Sequence, residues 1–265
     1  MQSNHPFHLY VYANVDLTHG MNFFANSVKG AFVVLKGRLK LIYDMIPPCD
    51  ILADIGTDHA LIPAYALLND RCKKAVACDV KPGPLERAER TRSKYLLEKS
   101  MELRMGSGLQ PISEHEADVV VLAGMGGILI TELIQESIKI AEAANYILIQ
   151  PMTHQELIRP FLWKNGFEIV NEALTREENK LYLVILARYT GSRKVNTERI
   201  RELIGDILIK KNDPFVKDWV KDHIKKQKKA VSGLKSAKAT YDAEKIETEE
   251  KLLKELTVLF NSLGG

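Results

Sequence analysis

The chain has 265 residues, of which 46% are hydrophobic and 27% are charged, and its formal net charge at pH 7 is +3. This length suits one α/β domain of ordinary size with a smaller unit, and the apolar content is ample for a core. No apolar run approaches the roughly 20 residues that a membrane span requires, and a net charge of +3 does not by itself indicate a nucleic-acid partner.

The three cysteines indicate a reducing compartment. Cys49, Cys72 and Cys78 contain no CxxC pair, and their odd number leaves one thiol outside any disulfide scheme. We therefore predict buried, reduced thiols in a cytoplasmic protein that makes no membrane contact.

Residues 1–34 show no regular pattern. They have few periodic apolar positions, and they lack the basic start and apolar core of a signal peptide. The histidines His5, His8 and His19 fit no tetrahedral spacing, so we predict no metal site. We interpret this stretch as an N-terminal extension.

The pattern becomes regular at Leu35. Apolar residues recur at helical spacing from Leu35 to Ile46, and Pro47 and Pro48 end that helix. After it, β-like and α-like segments alternate. The predicted strands are 50–54, 74–79, 101–104, 117–123 and 145–150, and the predicted helices between and after them are 60–68, 83–99, 127–142 and 154–164. This alternation predicts a parallel sheet covered by helices on both faces.

Two more strands are predicted at 167–170 and 181–186, separated by the polar stretch 174–180. That gap is too short for a crossover helix, so the pair is predicted to form an antiparallel hairpin. The predicted fold class is therefore α/β and Rossmann-like, with a mostly parallel sheet that ends in a hairpin, over residues 35–190.

Residues 191–265 have a helical pattern throughout. One helix is predicted from Ile200 to Leu208, and two long helices with near-heptad apolar seams follow it. The long pair predicts an antiparallel coiled-coil hairpin that bends within residues 237–244. A dimerisation hairpin or a purely structural one is the alternative, although we expect a monomer.

The segment D-I-G-T-D-H-A at residues 54–60 joins the first predicted strand to a helix. Gly56 lets the backbone turn sharply and approach a ligand, and Asp54 lies where the strand stops. Asp58 and His59 lie where the helix begins. Because Thr57 and Asp58 are also good helix caps, a capped turn without a ligand is the alternative.

Further landmarks fall at the ends of the other predicted strands, where an open α/β sheet binds its ligand. Asp79 ends the second strand and is placed to accept hydrogen bonds from both ribose hydroxyls. Glycine clusters or a Gln-Pro pair follow the next three strands. The predicted cofactor-binding residues are Asp54, Gly56, Asp79, Gly106, Ser107, Ala123, Gly124, Met125, Gln150 and Pro151.

The charge of the first turn distinguishes two ligands. A dinucleotide has a pyrophosphate, which favours G-x-G-x-x-G against the helix amides. This turn has one glycine and two carboxylates, Asp54 and Asp58, which would repel a pyrophosphate but suit an ammonium and a sulfonium. S-adenosyl-L-methionine is therefore favoured over a nicotinamide cofactor.

Together these motifs resemble the TrmK family, bacterial enzymes that methylate N1 of adenine 22 in tRNA. The resemblance rests on D-I-G-T-D-H-A, D-V-K-P-G-P-L, G-S-G-L, A-G-M-G-G and L-I-Q-P-M, and it runs from about Leu35 to the C-terminal helices. It implies a methyltransferase domain followed by a small coiled-coil domain. Ser107 departs from the aspartate of many relatives, so its adenine contact is expected to be weaker or to come from the backbone.

Methylation of adenine N1 requires no strong base, because the N1 lone pair is already available. Catalysis is then expected to come from positioning and electrostatics. We hypothesise that Asp58, together with His59, accepts a hydrogen bond from the exocyclic amine of adenine. The alternatives are that Asp58 caps the helix or holds the methionine ammonium of the cofactor.

Lysines concentrate on the first long C-terminal helix. A basic face of a helix usually contacts only solvent, but in an RNA methyltransferase such a face favours contact with the phosphates of the RNA. The predicted substrate-binding residues are Lys221, Lys225, Lys228 and Lys229, with Arg38 at the rim of the domain. The remaining functional alternatives are a catalytically inactive RNA-binding relative and a methyltransferase with another nucleic-acid target.

Overall fold

A seven-stranded sheet organises the part of the chain that the computed structural model describes, which is residues 33–195, 197–236 and 243–263. The strands are β1 (Cys49–Ile55), β2 (Cys72–Asp79), β3 (Met101–Met105), β4 (Val119–Gly126), β5 (Tyr146–Thr153), β6 (Phe167–Glu177) and β7 (Lys180–Tyr189). Their order is β3-β2-β1-β4-β5-β7-β6. The first five strands are parallel, whereas β7 is antiparallel to both β5 and β6. The predicted sheet with a terminal hairpin is confirmed.

Helices fill both faces of the sheet and the C-terminal region. They are α1 (Gly37–Met45), α2 (Leu61–Leu68), α3 (Pro82–Lys94), α4 (Gly127–Glu136), α5 (Ile138–Ala143), α6 (Ile158–Lys164), α7 (Arg199–Ile204), α8 (Asp206–Lys210), α9 (Val216–Ser236) and α10 (Ala243–Ser262), with a 3-10 helix at Gln155–Leu157. The central strands are apolar on both faces because helices cover both. Residues 119–122 and 147–150 are therefore buried without alternation.

Two predicted helices are wrong in extent. The helix predicted over 83–99 ends at Lys94, because Leu96 adopts a left-handed conformation with φ of 56° and turns the chain towards β3. The helix predicted over 127–142 is broken at Ser137, whose φ of −126° is not helical. Apolar spacing continues through both breaks, so it does not reveal them.

The polar stretch 174–180 was predicted as a connection, but most of it is strand. The ladder of β6 and β7 continues to the pair Glu177 and Lys180, which leaves a loop of two residues. Glu178 in that loop has φ of 54°, as tight hairpin turns require. The hairpin is therefore longer than predicted. Because β7 is antiparallel to β5, the tip of the hairpin lies at the carboxyl end of β5.

The single helix predicted from Ile200 to Leu208 is two helices, α7 and α8, separated by Gly205 with φ of 88°. A Cβ at Gly205 would lie 2.4 Å from Glu172 Oε2, so the chain approaches a buried ion pair too closely for any side chain. In that pair, Arg159 Nε donates to Glu172 Oε1 at 2.6 Å.

The two long helices α9 and α10 contact each other in antiparallel directions. Lys217 near the start of α9 lies over the ring of Phe260 near the end of α10, and Gln227 donates to the carbonyl of Glu249 at 2.9 Å midway along. Gln227 falls in the predicted apolar seam, so this buried polar pair fixes the register of the two helices. Supercoiling stays a prediction, and most of the predicted bend, residues 237–242, lies outside the described residues.

Residues Leu35–Gly265 form one compact unit. The predicted N-terminal extension lies outside the described residues as far as residue 32, so its role and the bounds of the three predicted segments stay predictions. No helix in the described ranges combines the length and the apolar character that crossing a membrane requires. Cys72 and Cys78 are free and buried as predicted, whereas Cys49 is free but only half-buried.

Candidate functional site

The site lies at the carboxyl edge of the parallel strands. The strand order reverses between β1 and β4, which pair through residues 52–55 and 119–122. The space beyond the strand ends at this point is called the crevice below, because open α/β sheets bind their ligands there. The predicted residues at the ends of β1 to β5 are therefore brought to one edge of the sheet.

The turn after β1 is held against β2 by its backbone. The amides of Gly56 and Thr57 both donate to the carbonyl of Cys78 at 2.8 Å. Gly56 has φ of 75°, and the terminal methyl of Met125 lies 2.1 Å from where a Cβ at Gly56 would be. Any larger residue at Gly56 would be strained and would displace Met125. The hydroxyl of Thr57 is buried and has no hydrogen-bond partner of normal geometry among the described residues.

Asp54 is a buried carboxylate with no cationic partner in the described residues. Burial raises its pKa to about 6, Thr57 opposes that rise, and the nearby carboxylate of Asp79 adds to it. Asp79 accepts a hydrogen bond from the amide of Lys81 at 2.8 Å but forms no ion pair in the described part of the chain. Two neighbouring carboxylates without a counter-ion are suited to a ligand that brings positive charge.

The ends of β2 and β3 meet beside Asp79. The amide of Gly106 donates to the Asp79 carbonyl at 3.1 Å, and a Cβ at Gly106 would lie 2.5 Å from Pro111 Cγ. Ser107 follows in the same turn and is half-buried. The structure therefore brings Gly106 and Ser107 next to Asp79, as the sequence predicts for an adenosine site.

The end of β4 contains a bulge at Gly124. Its neighbours Ala123 and Met125 pair with the consecutive residues Gln150 and Pro151 of β5, which leaves Gly124 as an extra residue. Gly124 has φ of 77° and is exposed, and a Cβ there would meet nothing within 4 Å. The bulge therefore borders open space at the edge of the crevice.

Gln150 and Pro151 lie beneath this bulge and are buried. The Gln150 side chain is 0% exposed, and its Oε1 accepts from the amide of Gly124 at 3.2 Å. Its Nε2 donates to the carbonyl of Pro151 at 3.1 Å. The amide of Gln150 thus contacts the backbone of the site rather than open space, although its sequence position predicts cofactor contact.

Asp58 and His59 are exposed at the mouth of the site. Arg87 on α3 contacts one carboxylate oxygen of Asp58 through both Nε, at 2.8 Å, and Nη2. The other oxygen lies 3.4 Å from His59 Nε2. Helix α2 begins at Leu61 after a left-handed Ala60 and has no side-chain cap, so the capping alternative for Asp58 is wrong.

A cationic rim borders the β5 side of the site. Arg38 on α1 pairs with Glu177 at 2.9 Å and lies over the ring of Tyr182, with its guanidinium carbon 5.6 Å from the ring centroid. Lys180 lies over the same ring, 5.1 Å from its centroid, and contacts the Met152 carbonyl at 3.5 Å. Arg38 is thus held at the tip of the β6–β7 hairpin, where Glu177 partly neutralises it, and its predicted contact with the substrate stays a prediction.

The predicted lysines Lys221, Lys225, Lys228 and Lys229 are all exposed on α9. Lys225 pairs with Asp222 at 3.1 Å, a surface contact that contributes little. These four lysines are on the helical arm, whereas the predicted cofactor residues are at the sheet edge. The structure therefore divides the predicted site residues into two groups.

Sequence reasoning missed Arg87, Thr57 and Lys180. Thr57 lies inside the D-I-G-T-D-H-A motif, so the motif itself gave a signal for it. Arg87 is 29 residues from Asp58, and only the folding of α3 over the site brings them together. Lys180 lies in the stretch that the sequence predicts as a polar connection, because the local pattern does not give the length of the hairpin.

Comparisons with known proteins show the family of the chain. A family model described as a methyltransferase domain matches residues 35–185. The chain is 34% identical to the tRNA (adenine(22)-N(1))-methyltransferase of Bacillus subtilis over 193 residues, which cover 71% of this chain and 81% of the relative.

Solved structures show the same fold. The B. subtilis m1A22 tRNA methyltransferase TrmK has a TM-score of 0.75 at 27% identity, covering 88% of this chain and 99% of that one. A Streptococcus pneumoniae protein in complex with S-adenosyl-L-methionine has a TM-score of 0.71 at 24% identity, covering 83% and 97%. The methyltransferase domain, the identity to the B. subtilis enzyme and the shared architecture place this chain in the TrmK family of tRNA (adenine-N1)-methyltransferases.

Proposed function

We propose that this protein transfers a methyl group from S-adenosyl-L-methionine to N1 of adenine 22 in tRNA, in the cytoplasm. Membership of the TrmK family supports the reaction, and the B. subtilis relative is named for that nucleotide and atom. When it is bound, the cofactor supplies a methyl group on a sulfonium centre. The chain's own residues bind, orient and shield the reactants.

The observation that carries the cofactor assignment is the pair of carboxylates at the ends of β1 and β2. Asp54 is buried beside Asp79, and neither is paired with a cation in the described residues. An ammonium group near Asp54 would relieve that repulsion, and ribose hydroxyls would donate to Asp79. The buried hydroxyl of Thr57, which has no hydrogen-bond partner of normal geometry among the described residues, is a further polar group for the ligand, and glycine at position 56 keeps the turn free of a side chain.

We propose that the target adenine lies against the bulge at Gly124. Glycine there leaves space for a flat base. The segment A-G-M-G-G at residues 123–127 offers the base backbone groups rather than a side-chain amide. Adenine N1 is on the Watson–Crick edge, so the base has to leave its stack to enter the site. Positioning of N1 in line with the methyl group then supplies most of the catalysis.

Asp58 and His59 remain our candidates for contact with the exocyclic amine of adenine. Arg87 occupies one carboxylate oxygen of Asp58. The other oxygen faces His59 and is the one that an incoming amine would reach. In this role Arg87 orients Asp58, and His59 borders the base.

We further propose that the lysines of α9 bind the phosphates of tRNA. Exchanging Lys225 and Lys229 for glutamate is expected to raise the KM for tRNA about tenfold or more at low salt. The salt dependence of binding should become weaker by about one unit of log–log slope for each lost phosphate contact. Steady-state kinetics at several salt concentrations would measure both effects.

A matched control is exchange of Lys99 and Lys139 for glutamate. Both are exposed, and they precede β3 and β5, so they lie towards the amino edge of the sheet. The change in net charge is the same. Cofactor affinity should be unchanged in both double variants. An equal rise in KM for the control would mean that net charge, rather than contact through α9, explains the effect.

Mass spectrometry of tRNA incubated with the protein and isotopically labelled cofactor tests the proposed function directly. We expect one labelled methyl group on N1 of adenine 22. Label on another nucleotide or atom would contradict the target assignment. Cofactor binding without any transfer to a full set of tRNAs would instead favour an inactive RNA-binding relative.

A further inference from the structure

The side chain of Gln150 is fully buried, and its polar atoms hydrogen-bond to the backbone at the ends of β4 and β5. Its Oε1 accepts from the Gly124 amide at 3.2 Å, and its Nε2 donates to the Pro151 carbonyl at 3.1 Å and lies 3.6 Å from the sulfur of Met152. Its side chain therefore bridges two neighbouring strands just below the crevice.

The bridge occurs at the only irregular region of the β4–β5 ladder among the described residues. Ladder pairing is regular from Val119 to Ala123 and shifts at Gly124. An extra residue in a strand leaves its amide without a ladder partner, and a side-chain acceptor can take the place of the missing ladder carbonyl. Gln150 supplies that acceptor, so it stabilises the bulge.

The bulge in turn determines what faces the site. It exposes Gly124 with φ of 77° to open space and directs Met125 across to the turn at Gly56. Met125 thus connects the bulge at Gly124, where we propose that the adenine lies, to the turn at Gly56 after β1. A change in the bulge would move Gly124 relative to that turn.

We propose that Gln150 is a positioning residue for methyl transfer, which acts through the Gly124 bulge and contacts neither the cofactor nor the adenine. This inference rests on the proposed function and deepens it. It replaces the direct cofactor contact that the sequence predicts for Gln150. A misplacement of about 1 Å between reacting groups reduces rate strongly, whereas binding of each reactant is less sensitive.

Exchange of Gln150 for methionine, which has a similar length but offers only a weak acceptor, tests the proposal. We expect kcat to fall about 10- to 100-fold, while the Kd for S-adenosylhomocysteine and the KM for tRNA change less than about threefold. The control is Gln155→Met, which removes another buried glutamine, from the 3-10 helix after β5, that is not bonded to Gly124. This control should retain kcat.

The coupling between the two residues gives a second readout. Gly124→Ala introduces a methyl group into open space at a strained φ, and it should also lower kcat. If Gln150 acts through Gly124, the double variant should be no slower than the slower single variant by more than about threefold. Multiplication of the two losses would overturn the proposal.

Two further outcomes would also overturn it. A Gln150→Met protein with normal kcat but weaker S-adenosylhomocysteine binding would make Gln150 a cofactor ligand. An unchanged kcat and Kd would give Gln150 no role. If Gln150→Met does not fold, Gln150→Glu is measured instead. Its carboxyl oxygen still accepts from the Gly124 amide, so kcat should stay within about tenfold of wild type, and a larger loss would overturn the proposal. Wild-type protein without tRNA methylation would contradict the proposed function instead.

Discussion

Replacing Arg159 with methionine is expected to lower the free energy of unfolding by about 3 to 5 kcal/mol, because the exchange leaves Glu172 as an uncompensated buried charge. The Arg159 side chain is 0% exposed and that of Glu172 is 2% exposed, with Nε and Oε1 2.6 Å apart. Burial raises the pKa of Glu172, and the guanidinium of Arg159 opposes that rise. Removing the arginine removes this opposition.

Arg159 also holds the end of α7. Its two Nη groups donate to the carbonyls of Glu202, Leu203 and Ile204 at 2.9 to 3.1 Å. These carbonyls end a short helix and have no intrahelical partners, so a cation suits them. The same guanidinium thus joins α6, β6 and the start of the helical region. A variant that also exchanges Glu172 for leucine should regain only part of the lost stability, because the three carbonyls still lack their donors.

Arg188→Met is the matched control for this prediction. Arg188 pairs with Glu168 at 2.7 Å on the surface of the same hairpin, and both side chains are nearly half exposed. An exposed pair contributes about 0 to 1 kcal/mol. Urea unfolding of the two variants measures the difference. Equal losses of stability would mean that the buried pair of Arg159 and Glu172 contributes no more to the free energy of unfolding than the exposed pair does.

Exchange of Asp54 for asparagine is expected to weaken binding of S-adenosylmethionine by roughly 10- to 100-fold, because an interaction with a charged partner contributes about 1.5 to 3 kcal/mol. The wild-type affinity should fall as the pH drops below about 6, where the Asp54 carboxylate becomes protonated. The asparagine variant should lack this dependence. Calorimetry between pH 5 and pH 8 would measure both.

The same exchange should stabilise the protein without cofactor. The folded-state pKa of Asp54 is about 6, above its ordinary value of 3.8, so the buried group favours its neutral form. Its contribution to stability is fully present below pH 3.8 and is lost as the pH rises through 6. At pH 8 the ionised carboxylate therefore costs up to about 3 kcal/mol. Asparagine should recover much of that stability at pH 8 and little at pH 4.

Asp58→Asn distinguishes binding from catalysis in the same experiments. If Asp58 contacts the adenine amine, its variant should retain cofactor affinity and lose single-turnover rate. Loss of cofactor affinity alone would contradict a catalytic role for Asp58. An Asp54→Asn protein that binds cofactor normally and is no more stable than wild type at pH 8 would contradict the assignment of Asp54.

The weaker cofactor binding and the higher stability that we expect for Asp54→Asn have one physical origin. A carboxylate buried beside Asp79 is destabilising in the free protein and becomes favourable when a cation arrives. Binding sites commonly retain such groups, and substitutions that stabilise them weaken function. Asp54 therefore identifies the site more sharply than the exposed Asp58, which Arg87 already neutralises.

The sequence by itself determined the sheet, its direction and the edge where the site lies. Alternation of apolar strands and amphipathic helices is a local pattern, and the direction of β1 to β5 follows from the length of their connections. Asp54, Gly56 and Asp79 were predictable because each lies at a strand end. The seam residue Gln227 was predictable from its spacing, although its partner Glu249 was not.

Only the tertiary structure decided which side chains meet across the sheet. The bond from Gly124 to Gln150 joins residues on separate strands, and Arg87 reaches Asp58 from another helix. The break at Ser137 leaves the apolar spacing unchanged, so periodicity does not mark it, and the break at Gly205 is marked only by the glycine itself. Periodicity reports which face of an element is buried, whereas contacts between distant residues depend on how the elements pack together.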